Sequence, residues 1–158
     1  MSLAIVYSRG RSGINAPLVT VEVHLANGLP AFHIVGLPEA SVKESKDRVR
    51  SAIINCGYEF PAKRITINLA PADLPKEGGR FDLPIADGIL AASEQIPQVD
   101  LSQYEFAGEL ALSGELRAII GEIPMAMACC KNQRRLVLPS HNSEQASWVK
   151  QAKIHAIE

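Results

Sequence analysis

The residues of this chain best placed to do chemistry lie in one loop. Ala70-Pro71-Ala72-Asp73-Leu74-Pro75-Lys76-Glu77-Gly78-Gly79-Arg80 joins two cations to a backbone rich in Pro and Gly. Such a loop can turn main-chain N–H groups toward an anion, with Lys76 and Arg80 adding charge. It can equally be a strand-to-helix connection in which Pro and Gly only set the turn. Five of the cations before it are further candidates: Lys43, Lys46 and Arg50, then Lys63 and Arg64. Spacings of three and four place the first three along one side of a helix. Clustered cations are what a phosphate backbone needs, because counterion release supplies the affinity. The same side chains could instead pair with Glu39, Asp47 and the acidic stretch 81–130, within the molecule or between subunits.

Other chemistries lack their residues. The sequence contains no G-x-x-x-x-G-K-[ST], G-x-G-x-x-G, G-x-S-x-G or H-E-x-x-H motif. His24, His33, His141 and His155 are far apart in sequence and read as strand or surface residues. Glu109, in a strand, and Glu122, at a helix start, suit exposed or capping roles better than acid–base work. Cys56, Cys129 and Cys130 make an odd set with no CxxC or Cys/His spacing, so neither a disulfide framework nor a zinc site is expected. No carboxylate cluster has metal-ligand spacing. No catalytic residue, metal or bound cofactor is therefore expected within this chain.

Length and composition bound the rest. The chain has 158 residues, 47% hydrophobic and 21% charged, which predicts one globular domain over 1–158 with a core of its own. Its net charge is −1, but residues 1–80 carry +3, residues 81–130 carry −7 and residues 131–158 carry +3. A nearly neutral molecule of this kind can still present a basic face. The short apolar run Leu3–Val6 precedes Arg9 and Arg11, the wrong order for a secretory signal. The longest uncharged stretch, Val23–Pro38, holds two histidines, two prolines and two glycines and is no membrane span. A cytoplasmic protein without membrane contact is expected.

The elements that must position these residues follow from periodicity. Residues 3–7 form a short strand, and residues 17–25 alternate, with Val19, Val21, Val23 and Leu25 on one face. Asn27-Gly28 signals a hairpin with 31–35 as the return strand. Residues 39–56 form a helix closed by Gly57, with Glu39/Lys43, Lys43/Asp47 and Glu44/Arg48 spaced to pair. Residues 63–69 form a strand, and residues 82–95 a buried helix with Asp82 as N-cap and Pro84 in its first turn. After a linker at 97–102 come strands at 104–112 and 116–120, a helix at 121–131, a strand at 135–138, a helix at 143–151 and a strand at 153–157. The class is mixed α/β. Asp87 stands out in the 82–95 helix, where a buried face calls for an apolar or small residue.

Several runs carry a family resemblance. These are Gly36-Leu37-Pro38, Lys43-Glu44, Arg48-Val49-Arg50-Ser51-Ala52, Ile67 through Gly79, and Phe81-Asp82-Leu83-Pro84-Ile85-Ala86. They resemble the N-terminal domain of the magnesium-chelatase-like AAA+ proteins of bacteria, the YifB/ComM group. The resemblance covers nearly the whole chain. It implies an α/β (α+β) fold of the Lon protease-like, ribosomal protein S5 domain 2-like kind. It also implies a AAA+ module downstream that would bind ATP and Mg, a homo-oligomer with a hexamer as the working form, and a motor acting on single- or double-stranded DNA in branch migration. Lon-type proteases use a serine–lysine dyad. By the same likeness the serine position falls on Arg80, the lysine position falls near Ile123, and no lysine occurs between Lys76 and Lys131. Arginine is neither that nucleophile nor a general base. The resemblance therefore implies a domain without protease chemistry, serving assembly, DNA engagement or both. A divergent protease and a purely structural oligomerisation module are the alternatives.

Overall fold

The computed structural model describes residues 2–12, 14–98, 101–142 and 154–157. In the strand β2 (Leu18–Ala26), Val19, Val21, Val23 and Leu25 are buried and every second residue between them is half-exposed, as the alternation requires. Its neighbours are β1 (Ser2–Arg9) and β4 (Arg64–Ala70), both antiparallel to it. A seven-stranded sheet has the order β3-β4-β2-β1-β5-β8-β9, with β3 at Ala31–Val35, β5 at Tyr104–Phe106, β8 at Arg135–Pro139 and β9 at Ile154–Ile157. The pairs β3/β4, β1/β5, β5/β8 and β8/β9 are parallel. With four α-helices among the described residues, the fold is mixed α/β, as expected.

The hairpin expected at Asn27-Gly28 does not form. β2 and β3 are separated by β4, which pairs with both: Ile67 lies opposite Val23 on one side and Ile34 on the other. A two-residue type I′ turn needs positive φ at both central residues, and of this pair Gly28 alone has it. Pro30 follows, lacks an N–H and restricts Leu29 to extended conformations, so the chain runs on past the place β4 fills.

The long helix expected at 39–56 is two: α1 (Ala40–Lys43) and α2 (Ser45–Asn55), parted at Glu44. Its end is as expected. Gly57 has φ +87, its N–H donates to the Ile54 carbonyl, and the Tyr58 N–H donates to that of Ile53, a Schellman closure. Helix α3 spans Asp82–Ala92 and stops three residues short of the expected end. Its N-cap is Phe81, so Asp82 is the first helical residue and not the cap. The strand expected at 104–112 divides at Ala107-Gly108 into β5 and β6 (Glu109–Leu110). β6 leaves the main sheet and pairs with β7 (Leu116–Arg117). Helix α4 spans Glu122–Lys131. The helix expected at 143–151 lies outside the described residues.

Helices α2 and α3 cover one face of the sheet, burying Val49, Ile53, Ile85 and Ile89 with Val6, Val21, Val23, Ile65 and Ile67. A Cβ on Gly88 would collide with Val23, so glycine lets α3 lie directly on β2. A smaller cluster joins Met125, Ala126 and Cys129 of α4 to Leu136 and Leu138 of β8. Between the two cores, Arg9 is 6% exposed and grips Glu105, fully buried, through Nε–Oε1 at 2.7 Å and Nη2–Oε2 at 3.0 Å. Arg134 completes the pair by donating to Oε2 at 3.1 Å. No described helix is long and apolar enough to cross a membrane.

Candidate functional site

Asp82 explains how the loop 70–80 is held. Its carboxylate is fully buried and accepts from four donors: Ser45 Oγ, Arg48 Nε at 2.7 Å, Arg48 Nη2 at 3.1 Å and the Leu110 N–H at 3.0 Å. One side chain thus ties α2, α3 and β6 together. Hydrogen bonding to Asp82 raises the Arg48 pKa further, against the opposing effect of burial. Glu44 lies 3.6 Å from Arg48, as their spacing predicts. Among the described residues no ion pair joins Lys43 to Glu39 or Asp47.

The two loop cations are not on the surface. Lys76 is 1% exposed, and its ammonium donates to the carbonyls of Gly36, at 2.7 Å, and Pro71. The backbone brings this about: Glu39 N–H donates to the Lys76 carbonyl, and Lys76 N–H to that of Leu37. The loop therefore lies along the start of α1 with the lysine turned inward. Desolvation pulls the Lys76 pKa below its ordinary value, and Asp73 partly offsets this. Arg80 is 7% exposed and donates to the Ile120 carbonyl and to Met125 Sδ, at 3.5 Å. Lys76 and Arg80, which the sequence offers as candidate anion or interface contacts, are instead committed to acceptors inside the fold.

Arg80 borders a cavity of about 360 Å³ that Arg11, Glu77 and Glu109 also line. Among the described residues lining it, the one hydroxyl is Ser41, whose Oγ accepts the Gly78 N–H at 2.9 Å, and none is Lys or His. Glu109 packs so closely over Gly79 that a Cβ there would collide with it. The lining residues contain no hydroxyl or thiol paired with a base.

Of the remaining cations, the structure unites two. Arg50 sits 5.4 Å above the Phe60 ring, which stacks on Phe32 with centroids 5.7 Å apart. Arg50, Lys63, Phe32 and Phe60 together line a cavity of about 390 Å³. Lys63 Nζ donates to Asn27 Oδ1 at 3.0 Å and stays exposed, as does Arg50. Lys43, exposed, ends α1, and Lys46, half-exposed, lies one turn before Arg50 on α2. Arg64 has the strand parity of Thr66 and Asn68, opposite to the buried Ile65 and Ile67 that α2 covers, so it faces the other side of the sheet.

The family described as subunit ChlI of Mg-chelatase matches residues 21–142. The chain belongs to this Mg-chelatase-like family. It is 62% identical over 149 residues to the competence protein ComM of Haemophilus influenzae and 58% identical to the protein YifB of Salmonella typhimurium. A Mycobacterium bovis protein is 37% identical over 150 residues. Each match covers 94% of this chain, but only 29% or 30% of the relative's length. The chain thus spans under a third of these Mg-chelatase-like relatives.

Two features of this family member escaped sequence reasoning. Phe32 and Phe60 are 28 positions apart, on β3 and after α2, and no local pattern joins them to Arg50 and Lys63. Asp87 was visible as an oddity, but its surroundings were not: its Oδ2 is buried without a hydrogen-bond partner.

Proposed function

We propose that this chain is the non-catalytic N-terminal domain of a Mg-chelatase-like AAA+ ATPase, and that it brings DNA to a hexameric branch-migrating motor. The observation that carries the reading is the Arg50–Phe60–Phe32–Lys63 cluster. Single-stranded nucleic acid is held by cations tracking the backbone and by rings on which bases stack. Arg50 and Lys63 supply the first, and the half-exposed Phe32 and Phe60 the second. Lys43 and Lys46 extend the charge along α1 and α2. The name of the Haemophilus relative, a competence protein, fits a role in handling DNA.

ATP and Mg belong to the AAA+ module of the longer protein. Residues of this chain do not suit them: the phosphate-binding motif is absent from the sequence, and no three His, Cys, Asp or Glu among the described residues cluster to hold a metal ion. The domain's contribution is binding and assembly in the cytoplasm, and a motor ring would strengthen weak contacts by engaging one strand several times.

Fluorescence anisotropy with labelled single- and double-stranded DNA across a salt series tests this. The isolated chain should bind with a dissociation constant of roughly 10⁻⁴–10⁻⁶ M that weakens with salt. Arg50→Glu with Lys63→Glu should remove most of the binding, whereas Arg64→Glu should matter less. Absence of binding at low salt, with loss of hexamers when the same pair is changed in the full-length protein, would assign the cluster to a subunit interface.

A further inference from the structure

Helix α3 is apolar along its length except at two aspartates. Asp82 anchors the fold, and Asp87 has no such task. Asp87 borders a cleft of about 190 Å³ between α2, α3 and the turn joining β6 to β7. The walls include Ile53, Leu83, Leu90, Leu110 and Leu116. Among the described residues Asp87 is the one charged group lining it, and the other titratable groups facing it are Cys56 and Tyr58. The Oδ2 atom is shielded from solvent and accepts no hydrogen bond. Asp87 as a whole is half-buried, and a carboxylate oxygen shielded from water without a donor is costly, so fold stability alone would favour an apolar side chain here. Local rules broken in this way mark places where function offsets the cost.

We propose that this cleft is a docking site for a protein segment that inserts a lysine or arginine side chain, its aliphatic stem against the leucines and its cationic head on Asp87. Charge complementarity selects the cation, and the apolar walls select a stem. The rim selects a protein over a free amine. Tyr58 is 43% exposed, and Leu112, whose carbonyl accepts the Asn55 amide at 2.7 Å, is 56% exposed, so apolar surface continues beyond the cleft. The site is separate from the Arg50–Lys63 cluster and does not depend on DNA binding.

The probes are acetyl-Leu-Lys-Leu-amide, its norleucine analogue and n-butylammonium, each titrated into the 158-residue chain with methyl NMR as the readout. The lysine peptide should shift the Ile53, Leu90 and Leu116 methyl signals and bind the norleucine analogue's site at least about tenfold more tightly than that analogue does. Binding should tighten as pH rises and Asp87 loses its proton, and should weaken at least about tenfold in Asp87→Asn. In the unaltered chain the Asp87 carboxyl carbon should move to its ionised shift on saturation, a measurement that needs no variant to fold. Equal binding of the norleucine peptide would show an apolar cleft without a role for Asp87. Butylammonium binding as tightly as the peptide would show a small-amine site, and no shifts at millimolar peptide would show no site; each result overturns the proposal.

Discussion

Lys76 is buried and Asp87 half-buried with one carboxylate oxygen shielded, and the two differ in their partners. Lys76 has carbonyl partners, while Asp87 Oδ2 has none and burial pushes its carboxyl up to about 7. In the unfolded chain an aspartate titrates near ~3.9. Between the two values the folded state binds the extra proton, so the associated stability is full below the unfolded value and is lost as pH rises through about 7. Urea unfolding followed across pH should therefore show stability falling from pH ~4 to ~7 and levelling above that, and Asp87→Asn should flatten that slope. Asp87→Leu should raise stability at pH ~8 by on the order of 2–4 kcal/mol, because it removes the desolvated charge and fills the cleft. Parallel pH profiles for parent and Asp87→Asn would show that water reaches the carboxylate. Lys76→Ala leaves the Gly36 and Pro71 carbonyls short of a donor and should cost about 1–3 kcal/mol. It should leave DNA affinity unchanged, the reverse of what an exposed phosphate-binding lysine would do.

At the scale of elements, α3 is the piece on which the others are assembled. It lies across β1 and β2, and its first turn holds α2 and β6 through Asp82. Ile89 is fully buried between these layers, so Ile89→Ala should cost roughly 2–5 kcal/mol in chemical unfolding. An unchanged denaturant midpoint would place α3 outside the core. Asp82→Ala should cost about 3–5 kcal/mol, since Arg48 and the Leu110 N–H would lose a shared acceptor. Circular dichroism of that variant should show a weakened tertiary signal before any loss of helix, because the tie joins elements and does not build one.

On the scale of the whole molecule, the end of the loop 70–80 borders a cavity lined by Arg80, Arg11 and glutamates. Burial and the neighbouring Arg11 lower the Arg80 pKa, while Glu77 and Glu122 oppose them, and arginine in any such setting stays protonated. Incubation of the chain with unfolded casein should give no turnover above buffer. Turnover that survives repurification and disappears on Arg80→Ala would show a protease after all. Charge is also distributed on this scale: the +3 of residues 1–80 is borne partly by Arg9, Lys76 and Arg80, which are buried, so the exposed basic surface is smaller than the sequence count implies.

Sequence alone determined what depends on near neighbours. Alternation in 18–25 and 64–69 placed the buried valines and isoleucines, because side chains on a strand alternate faces whatever pairs beside it. Gly57 closed its helix as expected, since a Schellman closure involves six consecutive residues. The motif runs from Gly36 to Ala86 were sufficient to indicate the family. Tertiary structure decided what depends on distant partners. β4 came between β2 and β3, and Asp82 turned from capping its helix to binding Ser45 and Arg48, 37 and 34 positions away. Lys76 was drawn inward to carbonyls that the Gly36–Pro38 turn and the Pro71 loop present together. Of seven candidate cations, only Arg50 and Lys63 met around a pair of rings. A cation's identity and spacing are local properties, but whether its charge faces water or a carbonyl is set by the elements that pack around it.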